Sequence, residues 1–307
     1  MGIFKDDEVP KGFDKPTDLP SSEVEAVEWQ KANRAWWEKH PMRYDWRERV
    51  PFREFSREFF EDVDRRFFSD AREYLRPWKE PFDEFVDFDS LKDKDVLEIG
   101  VGNGSHAQLL SRHARSFTGI DLTSYASKST SERFKVFGLK GNILQMDAER
   151  LVFPDRSFDF VWSWGVIHAS SDTKKIVREI HRVLHPKGEA VIMVYYRGWW
   201  NYYVVGVLRG IVSGMLFKGR SLHEIKQLNT DGAIGRYYTA GELAELGNGF
   251  FTTEDVGAFG PKTDFVFLPP GKVKELVKRL IPNAIARFFT HTLKMGCFLV
   301  VRYKKSA

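Results

Sequence analysis

Cysteine is nearly absent from this chain of 307 residues, in which Cys297 is the one thiol. A single cysteine excludes both an internal disulfide and a cluster of thiolate ligands around a metal ion. The sequence also lacks paired cysteines and a His-x-Glu pattern, which are typical of zinc sites. We therefore expect no bound metal.

Strong charge of one sign is also missing, because 47 Lys and Arg balance 43 Asp and Glu to a net charge of +4. This value is low for a nucleic-acid-binding protein of this size, although a local basic patch would matter more than the sum. The first residues, Met1–Glu8, contain no apolar signal core. We therefore expect a cytoplasmic protein that does not bind nucleic acid.

Four segments differ in their patterns. Residues 1–90 combine a proline-containing arm with helical periodicity, and the steps between Phe52, Phe55, Phe59, Val63 and Phe67 predict one helical face. Residues 91–196 alternate short apolar runs with helical patterns. Residues 197–250 predict an inserted helical cap, and residues 251–307 predict two closing strands around a helical insertion.

The alternation of strands and helices in residues 91–196 predicts a doubly wound parallel sheet. With the strands expected at 251–259 and 296–304, the fold class is α/β. We predict a Rossmann-like sheet of seven mostly parallel strands, flanked by helices and extended by the N-terminal helices and the cap.

A glycine-rich loop, Gly100-Val-Gly-Asn-Gly104, follows the first expected strand and precedes a helix. Glycines at this place permit tight turns and let a ligand approach the backbone closely. Ser105 stands where the nicotinamide fingerprint has its third glycine. Asp121 ends the next strand, where a carboxylate can accept both hydroxyls of a ribose.

Together with these features, several ordered motifs resemble the class I S-adenosylmethionine (SAM)-dependent methyltransferases of the broad small-molecule type, the methyltransferase type 11-like family. The residues that carry the resemblance are Val96–Gly104, Gly119–Leu122, Gln145–Ala148, Leu151–Trp162 and Val183–Gly188. Each motif is weak alone, but their order over roughly 100 residues makes the combination specific.

The resemblance implies SAM as the cofactor and S-adenosylhomocysteine as its product. The glycine loop would hold the methionyl part, Asp121 the ribose, and Asp147 with the Ala148 backbone the adenine amino group, while Ser163 and Trp164 would face the methionine end. The implied cofactor-binding residues are Glu98, Gly100, Gly102, Gly104, Asp121, Leu122, Asp147, Ala148, Ser163 and Trp164.

Methyl transfer is an in-line displacement that depends on positioning, and it needs a general base when the acceptor starts protonated. His168, just past the fourth strand, is the leading candidate for a base, although a role in shaping the pocket and bonding to neighbouring backbone is slightly favoured over base catalysis. Tyr195 ends the fifth strand, and Tyr237 lies in the glycine-containing loop 231–239. We take both tyrosines as candidates to orient the acceptor.

We predict that the acceptor is a small, hydrophobic or aromatic molecule. Ser163-Trp-Gly-Val166 stands where amino-directed methyltransferases of nucleic acids carry an Asn/Asp-Pro-Pro-aromatic motif. Two alternatives remain open. One is a tRNA- or RNA-modifying methyltransferase, which would need a basic surface patch, and the other is a non-catalytic methyltransferase-like partner subunit.

The most apolar stretch is residues 199–217, where Gly206, Gly210 and Gly214 are spaced four residues apart. Arg209 in its middle argues against a membrane span. Three interpretations stay open for this stretch: a buried cap helix, the wall of a cavity for a hydrophobic substrate, and peripheral contact with a membrane surface.

Overall fold

A computed structural model describes residues 15–45, 50–228, 230–266, 268 and 271–306. It confirms the predicted α/β class, since one mostly parallel sheet lies between layers of helices. The predicted seven strands are joined by an eighth, which is two residues long and pairs with the end of another strand.

The elements follow one another along the chain as strands separated by helices. The helices are α1 Glu23–Lys39, α2 Arg57–Tyr74, α3 Ser105–His113, α4 Ser124–Phe137, α5 Thr173–Val183, α6 Val205–Val212, α7 Leu222–Gln227, α8 Ala240–Leu246, α9 Lys272–Leu280 and α10 Asn283–Arg287. The strands are β1 Asp95–Ile99, β2 Ser116–Asp121, β3 Asn142–Gln145, β4 Phe158–Trp164, β5 Leu184–Tyr196, β6 Tyr237–Tyr238, β7 Phe251–Phe259 and β8 Phe298–Lys305.

The sheet has the strand order β3-β2-β1-β4-β5-β8-β7. The strands from β3 to β5 run parallel, whereas β8 runs antiparallel to both β5 and β7. The chain leaves β1 towards β2 and β3, and later returns to β4 on the other side of β1. Such a switch point opens a crevice at the carboxyl ends of the strands, where α/β proteins bind ligands.

Helix α5 shows how local sequence sets an element. The Asp172 carboxylate caps it by accepting from the backbone N–H groups of Lys174 at 2.9 Å and Lys175 at 3.3 Å. Its apolar positions, including Ile176 and Ile180, are buried against the sheet. Likewise, a capping box of Thr239 and Glu242 begins α8, because each side chain accepts from the backbone N–H of the other.

The prediction for the helical face of residues 52–75 is wrong in its first turn. The Ser56 hydroxyl accepts from the backbone N–H of Phe59, so α2 begins at Arg57. Phe52 therefore precedes the helix and is 44% exposed, whereas Phe59 and Phe67 are buried.

The cap stretch 199–217 is not one continuous helix. A π-helical turn over Trp199–Val204 leads into α6, and a short 3-10 turn follows. Gly206 and Gly210 lie close to the side chains of α7 and its neighbours, as the four-residue spacing predicts. Gly214 has φ +73° and lies beyond the helix, so it does not share that packed face.

A buried ion pair joins the N-terminal helices to the sheet layer. The Arg133 guanidinium, which is fully buried in α4, donates to both carboxylate oxygens of Asp64 in α2 at 2.9 Å. Asp64 also accepts from the Ser105 hydroxyl at the start of α3, at 2.6 Å. Three helices around the glycine loop are thereby held at one point.

Replacing Arg133 with methionine should lower the free energy of unfolding by about 3–5 kcal/mol, because Asp64 would lose the partner that compensates its removal from water. Urea unfolding followed by circular dichroism measures this change. The matched control is Arg76→Met, at an arginine 76% exposed in its pair with Glu84, which should leave the midpoint near that of the wild type. Equal midpoints for the two variants would show that the buried pair does not join the helices.

Candidate active site at the carboxyl edge of the sheet

A cavity of about 380 Å³ lies at the carboxyl edge of the parallel strands. Its lining residues follow the strand order: Asp147 after β3, Asp121 at the end of β2, Glu98 in β1, Trp164 in β4 and Tyr195 in β5. The cavity thus has an acidic end beside β1–β3 and an aromatic end beside β4, β5 and β8. Its volume is in the range of small-molecule sites.

The glycine loop forms the wall of the acidic end. Gly100 has φ +85°, and a Cβ atom there would lie 2.1 Å from Val166 Cγ2, so glycine is required at this position. The Gly102 N–H donates to Asp121 Oδ2 at 3.2 Å. Asp121 Oδ1 accepts from the backbone N–H and hydroxyl of Thr123, at 2.9 and 2.8 Å. These bonds fix the carboxylate at the cavity wall.

Glu98 supplies a second carboxyl group to this wall. Its side chain is buried, and its Oε2 atom has no hydrogen-bond partner among the described residues. Burial and the nearby charge of Asp121 raise the pKa of Glu98 well above its usual range, against the weaker effect of Arg133. Burial likewise raises the pKa of Asp121. Because no cation of the described part of the chain pairs with Glu98 Oε2, the site suits a ligand with a positively charged donor.

Asp147 is engaged by helix α1. Both of its carboxylate oxygens accept from the Gln30 side-chain amide, at 2.9 and 3.0 Å, and the Gln30 carbonyl oxygen accepts from the Ser171 N–H at 3.1 Å. Asn33 and Trp37 of the same helix also line the cavity, and Asn33 Oδ1 is buried without a partner among the described residues. Helix α1 therefore covers the acidic end.

The remaining residues implied for a cofactor divide into two groups. Leu122, Ala148 and Trp164 line the cavity together with Glu98 and the first two glycines. Gly104 and Ser163 do not belong to the lining. Gly104 packs against Thr130 and Arg133, and the Ser163 hydroxyl donates to the Ile99 carbonyl oxygen at 3.3 Å.

The aromatic end is built mainly from rings contributed by separate parts of the chain. Its lining rings are Tyr44, Phe67, Tyr74, Trp164, Tyr195 and Phe298. Behind Phe67 lies His106, whose ring centroid is 5.0 Å away and which also reaches the cavity. A wall of this composition favours an apolar or aromatic ligand.

His106 carries a defined tautomer. Its Nδ1 accepts from the Trp162 indole N–H at 2.5 Å, and burial lowers its pKa to about 3. The neutral ring must therefore carry its proton on Nε2, which is buried and has no partner among the described residues. The ring therefore keeps one buried hydrogen-bond donor without an acceptor among the described residues.

The three side chains predicted to serve the chemistry form one stack. The rings of His168 and Tyr195 lie 4.0 Å apart, and those of Tyr195 and Tyr237 lie 5.4 Å apart. Of the three, Tyr195 belongs to the lining, whereas His168 and Tyr237 are buried behind it. Burial, with the charge of Arg236, lowers the pKa of His168 to about 3.

Arg236 holds the segment that carries His168 in place. Its fully buried guanidinium donates to the carbonyl oxygens of Ser170 and Ser171, and its backbone N–H donates to the His168 carbonyl at 3.0 Å. The loop 231–239 that contains Arg236 has a contact at each end, since Asp231 lines the cavity and Thr239 caps α8.

The motifs alone missed several lining residues, including Gln30, Asn33, Tyr44, Tyr74 and His106. For α1 a signal was present, because Gln30, Asn33 and Trp37 are spaced so that they share one helical face. For Tyr44 and Tyr74 we find no such signal, since their place depends on how the N-terminal segment packs across the sheet edge.

The raised pKa of Glu98 makes the stability of this protein depend on pH. At pH values below the usual carboxyl pKa, Glu98 is protonated in both the folded and the unfolded protein. As pH rises, the unfolded protein releases this proton first, so the free energy of unfolding falls. Glu98→Gln should therefore unfold at a higher temperature than the wild type at pH 8, by at least about 2 °C, and the difference should shrink at pH 5. Scanning calorimetry at both values measures it.

The control is Glu245→Gln, at an exposed glutamate in the last turn of α8. This variant should keep the pH dependence of the wild type. A Glu98→Gln protein whose melting temperature follows that of the wild type at both pH values would contradict the raised pKa of the buried Glu98 carboxyl.

Comparison with known families identifies part of the chain. Residues 97–192 match the model of the methyltransferase domain family. The match begins in β1 and ends in β5, so it contains the glycine loop, Asp121, Asp147 and Trp164. The fold also resembles that of a SAM-dependent methyltransferase from Methanosarcina mazei, with a TM-score of 0.50 and 18% identity over 76% of this chain and 99% of that one.

Curated relatives align over the same region. A phthiotriol/phenolphthiotriol dimycocerosates methyltransferase of Mycobacterium tuberculosis is 37% identical over 31% of this chain and 35% of its own length. A phosphatidylethanolamine N-methyltransferase of Cereibacter sphaeroides is 36% identical over 32% of this chain and 49% of its length. This chain thus spans between about a third and a half of these relatives. Residues 97–192 of this chain thus match a methyltransferase domain, in agreement with the resemblance that the motifs carry.

Proposed function

We propose that the protein transfers a methyl group from SAM to a small hydrophobic or aromatic molecule. The observation that carries this proposal is the cavity itself, which joins an acidic, glycine-lined end to a wall of aromatic rings. One end suits the charged and hydroxylated donor, and the other suits an apolar acceptor. The two meet beside Trp164, at the switch point of the sheet.

The residues at the acidic end fit the donor chemically. Asp121 would accept from the ribose hydroxyls while it keeps its bonds to Thr123. Glu98 Oε2, buried without a cation, would pair with the methionyl ammonium group. Both Asp147 oxygens accept from the Gln30 side-chain amide. Asp147 would accept from the adenine amino group if α1 moves away from it, or if one of its oxygens accepts from the amide and the amino group together.

When bound, SAM supplies an electrophilic methyl group on a sulfonium centre. The aromatic rings of this chain exclude water and orient the acceptor for in-line attack. His168 has a pKa of about 3 and is buried behind Tyr195, so we assign it to holding the Tyr195 ring rather than to taking a proton. Burial raises the pKa of Asp231, which lines the cavity, and this carboxylate is our candidate for the base when the acceptor starts protonated.

The names of the relatives support an apolar acceptor. They include enzymes for phthiotriol dimycocerosates, for phosphatidylethanolamine and for fatty acids, the last from Mycolicibacterium smegmatis at 37% identity over 31% of this chain and 35% of its length. The aromatic wall of this chain fits the same kind of molecule. RNA is a poorer match to the cavity, because a phosphate backbone is bound by basic side chains and the described lining contains no Lys or Arg; the basic residues of 199–220 and 272–294 lie outside it. A cytoplasmic location stays a prediction.

Titration with S-adenosylhomocysteine tests the donor site directly. Isothermal calorimetry should show binding to the wild type, and Asp121→Asn should raise the dissociation constant at least about tenfold, because hydrogen bonds to a charged acceptor contribute about 1.5–3 kcal/mol each. The matched control is Asp155→Asn, at a residue whose side chain is 71% exposed and lies outside the cavity. This variant should bind as the wild type does.

Absence of binding to a folded wild-type protein would overturn the proposed activity and favour a non-catalytic subunit. Equal affinities for wild type and Asp121→Asn, with NADH competing for the site, would favour a nicotinamide enzyme. Melting curves of both variants establish that they are folded.

A further inference from the structure

Two segments of the chain expose an unusual amount of apolar surface. Of the twenty large hydrophobic side chains that are exposed among the described residues, thirteen lie in residues 199–217 and 273–293. Val212 is 86% exposed, Phe217 80% and Leu280 71%. Single exposed hydrophobic residues are common on soluble proteins, but a contiguous set marks an interaction site.

The two segments lie side by side. The Trp199 indole N–H donates to the Leu293 carbonyl oxygen at 2.9 Å. Burial and then the charges of Lys278 and Arg209 lower the pKa of Lys274 in α9. We call the exposed side chains of residues 199–220 and 272–294 the apolar–basic face.

Positive charge is concentrated in the two segments of this face, although Lys278 is buried and pairs with Glu73 outside them. The two segments contain nine Lys and Arg and one Glu, a net charge of +8, whereas the whole chain carries +4. The rest of the molecule therefore sums to −4. Cores of protein–protein interfaces are depleted in lysine. Lysine and arginine interleaved with exposed Leu, Val and Phe instead match a membrane surface, where apolar side chains enter the acyl boundary and basic ones meet anionic headgroups.

The helices of this face are short. No helix among the described residues is long and apolar enough to cross a bilayer. Helix α6 has eight residues and α9 has nine, so both can lie along a surface. We propose that the apolar–basic face docks the protein on an anionic lipid bilayer. Of the three interpretations left open for residues 199–217, the structure favours peripheral contact with a membrane. Residues 272–294 form the other half of the proposed docking surface.

The face lies close to the aromatic end of the cavity. Helix α10 packs on α2, where the Arg287 guanidinium donates to the Leu75 carbonyl oxygen at 3.2 Å. The neighbouring Tyr74 lines the cavity and contacts Phe298, with ring centroids 5.7 Å apart. A lipid-embedded acceptor could therefore enter from the docked surface. This last step rests on the proposed methyltransferase function, whereas the docking itself does not.

Sedimentation of the full-length protein with vesicles tests the proposal. Vesicles of phosphatidylcholine with 30% phosphatidylglycerol should bind it, and vesicles of phosphatidylcholine alone should bind it much less. Each basic side chain near an anionic surface contributes a factor of about five to partitioning. Lys218→Glu with Arg279→Glu, both at exposed positions of the face, should lower partitioning at least about 25-fold.

Two controls separate this effect from general charge and folding. Lys140→Glu with Lys174→Glu changes two exposed lysines elsewhere and should retain most of the binding. Val212→Ser with Phe217→Ser should weaken binding, whereas Val24→Ser with Val152→Ser, at residues 71% and 74% exposed, should not. Titration with S-adenosylhomocysteine should give the same affinity for all four variants, so failure of the donor site would be recognised separately.

Equal sedimentation of the wild type with both kinds of vesicle, or equal loss in the face and control variants, would overturn the proposal. So would a wild-type protein that stays in solution but forms a dimer that Val212→Ser with Phe217→Ser disrupts, because the face would then be an interface between two copies of the chain.

Discussion

Burial of the Glu98 carboxyl under the glycine loop is the constraint on which the site depends. A carboxyl group removed from water without a partner costs free energy, so the fold must hold it there by other means. The Arg133–Asp64 pair, the Ser105 hydroxyl and the bond from Gly102 to Asp121 supply that support around the same loop. A ligand with a positive charge would relieve the cost, and part of its binding energy would come from that relief.

The aromatic end of the cavity is lined mainly by rings, whereas the acidic end is lined by carboxyl groups and glycine backbone. Its polar groups include the hydroxyls of Tyr44, Tyr74 and Tyr195 and the carboxyl groups of Asp70 and Asp231. In the activity that we propose, the acidic end would fix the orientation of a polar donor, whereas the aromatic end would select the acceptor by shape and by exclusion of water. The apolar–basic face extends that preference for apolar chemistry to the outside of the protein.

The sequence predicted the sheet well, because its strands depend on local patterns such as the short apolar runs of β1, β2 and β4. The glycine loop and the resemblance to methyltransferases together implied Asp121 and Asp147 as cofactor-binding residues, and the structure brings both to one cavity, while their binding role stays a prediction. The aromatic end was predicted poorly, since Tyr44, Tyr74 and Phe298 come from distant parts of the chain. Phe52 was wrongly placed because the Ser56 cap, rather than hydrophobic spacing, determines where α2 begins. The burial of His168 depends on Arg236, which no motif connects to it.

A crystal structure of the protein with S-adenosylhomocysteine tests the central claim most directly. We expect the ribose hydroxyls on Asp121, the methionyl ammonium within hydrogen-bonding distance of Glu98 Oε2, and the sulfur atom facing Trp164 and Tyr195. A ligand bound with its sulfur directed away from the aromatic end, or a Glu98 carboxyl still without a partner in the complex, would contradict this account.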